Sequence, residues 1–165
     1  MHVKTFVEVS TAFVYKSQTK APADERAKLD PWTLQAKYKL QAEEELRALD
    51  GLHLVFVRPA TVYGSGDVGG LMPRLVCAAA YSALGEKMKL LWDGEMRVNT
   101  AHGVTNTPLT PYMDKELLGH NHLYVDGSKI ETTGFEYTYP SVQLDQVRAL
   151  VQDAIDQRLF PPVLA

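Results

Sequence analysis

A chain of 165 residues supplies one ordinary domain's worth of sequence. Hydrophobic residues make up 45% and charged residues 22%, the balance of a globular protein. The net charge of −3 includes no clustered Lys or Arg, which excludes an electrostatic case for nucleic acid or an anionic membrane as partner.

VKTFVEV (3–9) is rich in β-branched and aromatic residues and predicts a mostly buried strand. STAFVY follows it, and KSQTKAPADERAKLD reads as a polar surface loop. A helix is expected over 31–49, opened by Pro31, capped by Asp30 and stopped at Gly51. Tyr38, Ala42, Leu46 and Leu49 would form its apolar stripe, and the run EEE (43–45) its wet face. HLVFV (53–57) is a continuous apolar run, as expected of a strand covered on both faces.

YGSGDVGG (63–70) spells G-x-G-x-x-G between Gly64 and Gly69. A dinucleotide fingerprint puts its first Gly at the immediate end of a strand. Here RPATVY intervenes, Pro73 falls just inside the next helix, and no acidic residue follows at the right distance for a ribose. The stretch therefore reads as a loop that needs positive φ.

A helix is expected over about 71–84. Within it Cys77 reads as a small apolar filler, in a run far short of the ~20 residues of a membrane span. One cysteine allows no internal disulfide and, with no signal-like leader, points to a reducing, cytoplasmic setting. KLLWDGEMRV predicts a hairpin turning at Asp93-Gly94. Short helices are expected at DKELL and GSKIE, and a last helix over 141–158 capped by Ser141. Val147, Leu150, Val151, Ala154 and Ile155 would be its buried face. His120 and His122 have too few companions for a metal site. The strand–helix–strand–helix order of the first 84 residues implies an α/β fold with parallel βαβ units.

Three blocks carry a resemblance: FVEVSTAFVY, AKYKLQAEEEL and LVFVRPATVYGSGD. Together they resemble the extended short-chain dehydrogenase/reductase family, the NAD-dependent epimerases and dehydratases. In that family a strand ends in a Ser/Thr pair before A-x-V-Y, a helix carries Y-x-x-x-K-x-x-x-E, and the next strand ends R-P-x-x-V-Y-G-x-G. The resemblance covers residues 3 to about 67 and implies a partial Rossmann-like parallel sheet, the C-terminal half of the family fold, with a small irregular substrate-lobe remnant. It divides the chain into 1–85 (half of a Rossmann-like domain), 86–140 (substrate-lobe remnant) and 141–165 (a helix and tail). Family members are about twice as long, so an N-terminally truncated chain is expected, with a further deletion near His102, where VNTAHG departs from the family pattern.

The resemblance also assigns roles. Thr11 matches the hydroxyl that orients the substrate oxygen, with Ser10 beside it on the substrate. Lys39 matches the lysine that binds the cofactor ribose and lowers the pKa of the family's catalytic tyrosine. That tyrosine's position, four residues earlier on the same helix face, holds Gln35. A carboxamide neither gives nor takes a proton near neutral pH. Tyr38 belongs to the packing stripe, and Tyr15 lies farther off. Pro59 and Val62 would line the nicotinamide pocket or simply end a strand, and Arg97 would meet a substrate phosphate or stand as a solvated hairpin arginine. Lys39 without its partner is otherwise an exposed helix lysine.

Three functions follow from the resemblance. The chain is part of an active NAD(P)-dependent oxidoreductase or sugar-nucleotide epimerase, a catalytically impaired binding or structural relative, or a splice fragment. NAD or NADP is the family cofactor, with little binding expected from this chain alone. A nucleotide sugar or other small carbonyl or hydroxyl compound is the implied substrate, and a homodimer through helix 31–49, or another partner chain, the implied assembly.

Overall fold

In a computed structural model, the structure describes residues 3–67, 70, 74, 114–117 and 119–160. Two units are distinguished: Met1–Ala60 with Asp114–Glu136, and Thr61–Met113 with Tyr137–Ala165.

In the first unit the β-branched run forms strand β1 (Thr5–Val9) and the apolar run forms β2 (His53–Val57). They pair in parallel with Thr5 opposite His53 and Val9 opposite Val57. Helix α1 (Leu34–Arg47) connects them, giving the expected βαβ order. Gly51, at φ +79°, makes the turn between helix and strand that a side chain would strain. Past the strand ends, Ser10 N–H donates to the Val57 carbonyl at 2.8 Å and Ala12 N–H to the Pro59 carbonyl at 2.9 Å.

Neither strand is covered as expected. Phe6, Glu8, Leu54 and Phe56 share the face toward α1, where the Arg47 guanidinium lies over the Phe56 ring at 4.6 Å. Val7 and Val9, on the opposite face, are 55% and 56% exposed, so β1 is not a buried strand. β2 likewise alternates, with His53 and Val55 exposed, and is covered on one face only.

The core lies beside the sheet. Ala12 and Val14, in a 3₁₀ turn at Ala12–Val14, pack with Tyr15, Ala23 and Ala36; Phe13, Leu29, Leu40, Leu123 and Val125 surround them. The loop 16–30 is tied down by an antiparallel bridge between Tyr15 and Leu29 and a parallel bridge between Ala23 and Val125.

Helix α1 starts three residues later than Pro31 suggests, because Thr33 is the better cap. Its Oγ1 accepts from the Ala36 N–H at 3.1 Å. The Glu116 carboxylate accepts from the Leu34 N–H at 2.9 Å, a second satisfied amide at the same end. The apolar stripe is also corrected. Tyr38 is 65% exposed and Leu49 is exposed, while the helix buries Ala36 and Glu43. The two short helices occur as 3₁₀ turns at Lys115–Leu117 and Ser128–Thr133.

In the second unit, Gly66 adopts φ +84° in the turn after Tyr63, as the loop reading requires. Asp67 closes that turn, its N–H donating to the Gly64 carbonyl and its carboxylate accepting from Gly70 N–H at 2.6 Å. Helix α2 (Leu144–Asp156) begins after Gln143 rather than at Ser141, whose hydroxyl accepts from the Gln143 amide at 2.8 Å. Val147, Leu150, Val151, Ala154 and Ile155 form its half-buried stripe. The helix expected over 71–84, save residue 74, the hairpin, Cys77, Gly69 and Arg97 lie outside the described residues.

Candidate functional site

In parallel α/β sheets, ligands meet the protein at the C-terminal ends of the strands. Ser10 and Thr11 stand at that end of β1, and Arg58 and Pro59 at that end of β2. Parallel pairing brings these pairs side by side, through the backbone bonds from Ser10 to Val57 and from Ala12 to Pro59.

Thr11 caps the 3₁₀ turn, its Oγ1 accepting from Phe13 N–H at 3.2 Å. That bond uses an oxygen lone pair and not the hydroxyl proton. Ser10 is buried, and among the described residues its Oγ has no partner of ordinary hydrogen-bond geometry.

Lys39 reaches from α1 to the same strand end. Its Nζ donates to the Val9 carbonyl at 2.8 Å and to Glu8 Oε1 at 2.9 Å. The lysine thus stands at the strand end that leads into Ser10 and Thr11. Gln35 is exposed one turn nearer the helix start, on the same face as Lys39.

Neither Tyr15 nor Tyr38, the two phenols nearest in sequence, takes over that position. Tyr15 is buried, and its hydroxyl accepts from Arg58 Nη1 at 2.9 Å, with the guanidinium 5.0 Å from the ring centre. Tyr38 stands out in solvent on another face of α1, so it is neither a packing residue nor a partner for Thr11.

The largest departure from the sequence reading is Glu43. Far from being part of a wet face, it is fully buried. Arg58 grips it with Nε at 2.9 Å from Oε1 and Nη2 on Oε2, and Arg47 adds a bond at 3.0 Å. Burial alone would push the carboxyl up. The Arg58 hydrogen bonds and the two guanidinium charges outweigh it and hold Glu43 below the usual carboxylate range, and the nearby Ser10 hydroxyl adds to that. The same pairing raises Arg58 beyond its already high value. This cluster fastens α1, β2 and the turn after β1 together beneath the site.

The missed residues had signals. Glu43 lies four residues after Lys39, the spacing of one helix face, and Glu8 is a charge set between the apolar Val7 and Val9 of β1. Pro59 is half-buried at the site; Val62 belongs to the second unit and is 72% exposed. No cluster of metal-binding side chains occurs among the described residues, His120 and His122 included. None of the described helices is long and apolar enough to cross a membrane.

The family model described as "NAD dependent epimerase/dehydratase family" matches residues 1–102. No curated protein and no solved structure matches the chain.

Proposed function

The chain belongs to the NAD dependent epimerase/dehydratase family, and on that premise we propose that it is a member with a substrate-orienting hydroxyl and a cofactor lysine but a carboxamide at the position of the proton-transfer group. The observation that carries this is Gln35 one turn before Lys39, with Tyr15 held by Arg58 and Tyr38 out in solvent. A carboxamide there takes no proton from a substrate hydroxyl and gives none to a carbonyl.

NAD(P), when bound, supplies the hydride acceptor or donor. The residues present fit its nicotinamide-ribose side. An ammonium has three protons, and Lys39 spends two on Val9 and Glu8, leaving one for a ribose hydroxyl. Pro59 sits at the adjoining strand end. Thr11, with its proton unspent, and Ser10 beside it at the strand end orient a substrate oxygen. A small carbonyl or hydroxyl compound, such as a nucleotide sugar, is the substrate class, and Arg97 its phosphate contact.

The Gly64–Gly69 loop lacks the strand-end placement of a pyrophosphate cradle, so this chain alone holds the dinucleotide weakly. The result is a slow or non-catalytic relative. Leu34 and Tyr38, both exposed on α1, support self-association through that helix.

Ligand-observed NMR at millimolar NAD(H) and NADP(H) checks the reading. Expected is a dissociation constant weaker than about 1 mM, less than ~4 kcal/mol of binding, weakened further by Lys39→Met. Micromolar affinity, or affinity indifferent to Lys39, contradicts it.

A further inference from the structure

The Lys39 ammonium is held at two points, by acceptors from consecutive residues of β1: the Glu8 carboxylate at 2.9 Å and the Val9 carbonyl at 2.8 Å. One acceptor is charged and the other neutral, so the pair both aims the ammonium and cancels its charge. Glu8 is the more covered partner, its side chain 20% exposed against 39% for Lys39. It stands on the face of β1 turned toward α1, in register with Phe56. A two-residue shift along β1 would carry this carboxylate about 6–7 Å away.

We infer that Glu8 is a positioning residue that pins the Lys39 ammonium to the end of β1 and neutralises it. The helix face at Gln35 then sits beside a balanced ion pair and not a bare cation. The inference rests on Lys39 being the site lysine and adds the group that sets its charge. The field of a close pair falls off faster than that of a single charge. An acid/base group one turn from Lys39 would therefore receive less help from it than an isolated lysine gives. The pair also leaves the cofactor ribose one ammonium proton instead of three.

Amine acylation of the full chain, read by peptide mass spectrometry, compares Lys39 with exposed Lys37 on the same helix. Lys39 is expected to react about two- to fivefold more slowly, the range a partly exposed ion pair allows. Added salt narrows that gap by screening. Glu8→Gln, which keeps the shape and removes the charge, closes it. In a second arm, the phenol introduced by Gln35→Tyr ionises at lower pH once Glu8→Gln is added, followed by ultraviolet difference titration. Equal acylation of Lys37 and Lys39 in the unaltered protein, a gap insensitive to salt, or a phenol indifferent to Glu8 overturns the inference.

Neither arm needs a cofactor, so the two readings fail separately. Equal acylation with Lys39-dependent NAD(H) binding removes Glu8's role and keeps the site lysine. A slow Lys39 with Lys39-independent binding keeps the pinning and removes the ribose role.

Discussion

Two ion pairs stand one turn apart on α1, and they differ in what surrounds them. Glu43 is sealed from solvent, with Arg58 gripping both its oxygens and Arg47 on one of them. Lys39 meets one carboxylate oxygen at a partly open strand end. A buried charge stripped of its partner costs far more than an exposed one, because nothing replaces the lost solvation. The inner pair therefore belongs to the fold. The outer pair stays open enough to meet a ligand.

Breaking the inner pair has the largest expected effect on stability. Arg58→Met strips Glu43 of its two-point partner, leaving Arg47 and the Ser10 hydroxyl, and costs about 3–5 kcal/mol in urea unfolding. A loss below about 1 kcal/mol would dissolve the distinction between the two sites.

Acid sharpens the comparison. The folded Glu43 carboxyl lies below its ordinary value of 4.5, so it binds its proton less readily folded than unfolded. Its contribution is complete above that value and disappears as pH falls through the lowered folded one. Glu43→Gln should thus be less stable than the unaltered chain at neutral pH, by about 1–3 kcal/mol. The gap should shrink in acid, which melts across pH would show. A gap that widens in acid reverses the sign and removes the account of Glu43.

The smallest effect belongs to the outer pair. Glu8→Gln should change unfolding stability by no more than about 1 kcal/mol, measured beside Arg58→Met in the same denaturant. A loss equal to that of Arg58→Met would make Lys39 a structural residue as well.

The contrast also marks what the sequence carries. The βαβ order was legible because β-branched runs at 3–9 and 53–57 flank a helical stretch, and the run lengths and turn residues agree. Which faces were covered was not legible. Composition marks Val7 and Val9 as strand residues, but only the position of α1 decides that they lie on the open side. The helix start was masked by Pro31, an equally plausible opener until Thr33 is seen to cap Ala36. Motif spacing singles out Lys39 in the sequence, but not the strand-end acceptors that hold it. The burial of Glu43 was not legible either, because three adjacent acids look alike in sequence and helix rotation turns just one of them inward. Tyr38 failed for the same reason, on the opposite side of the helix.

The central claim is that a carboxamide at position 35 withholds the proton step from an otherwise recognisable site. Cofactor-linked turnover of the unaltered chain and of Gln35→Tyr, at one NAD(P) concentration with a panel of nucleotide sugars, tests it most directly. The account predicts a gain of about 10²–10⁴-fold for Gln35→Tyr over a near-silent parent. A parent that turns over at an ordinary enzyme rate of ~1–10³ per second, or a substitution that gains nothing, contradicts it.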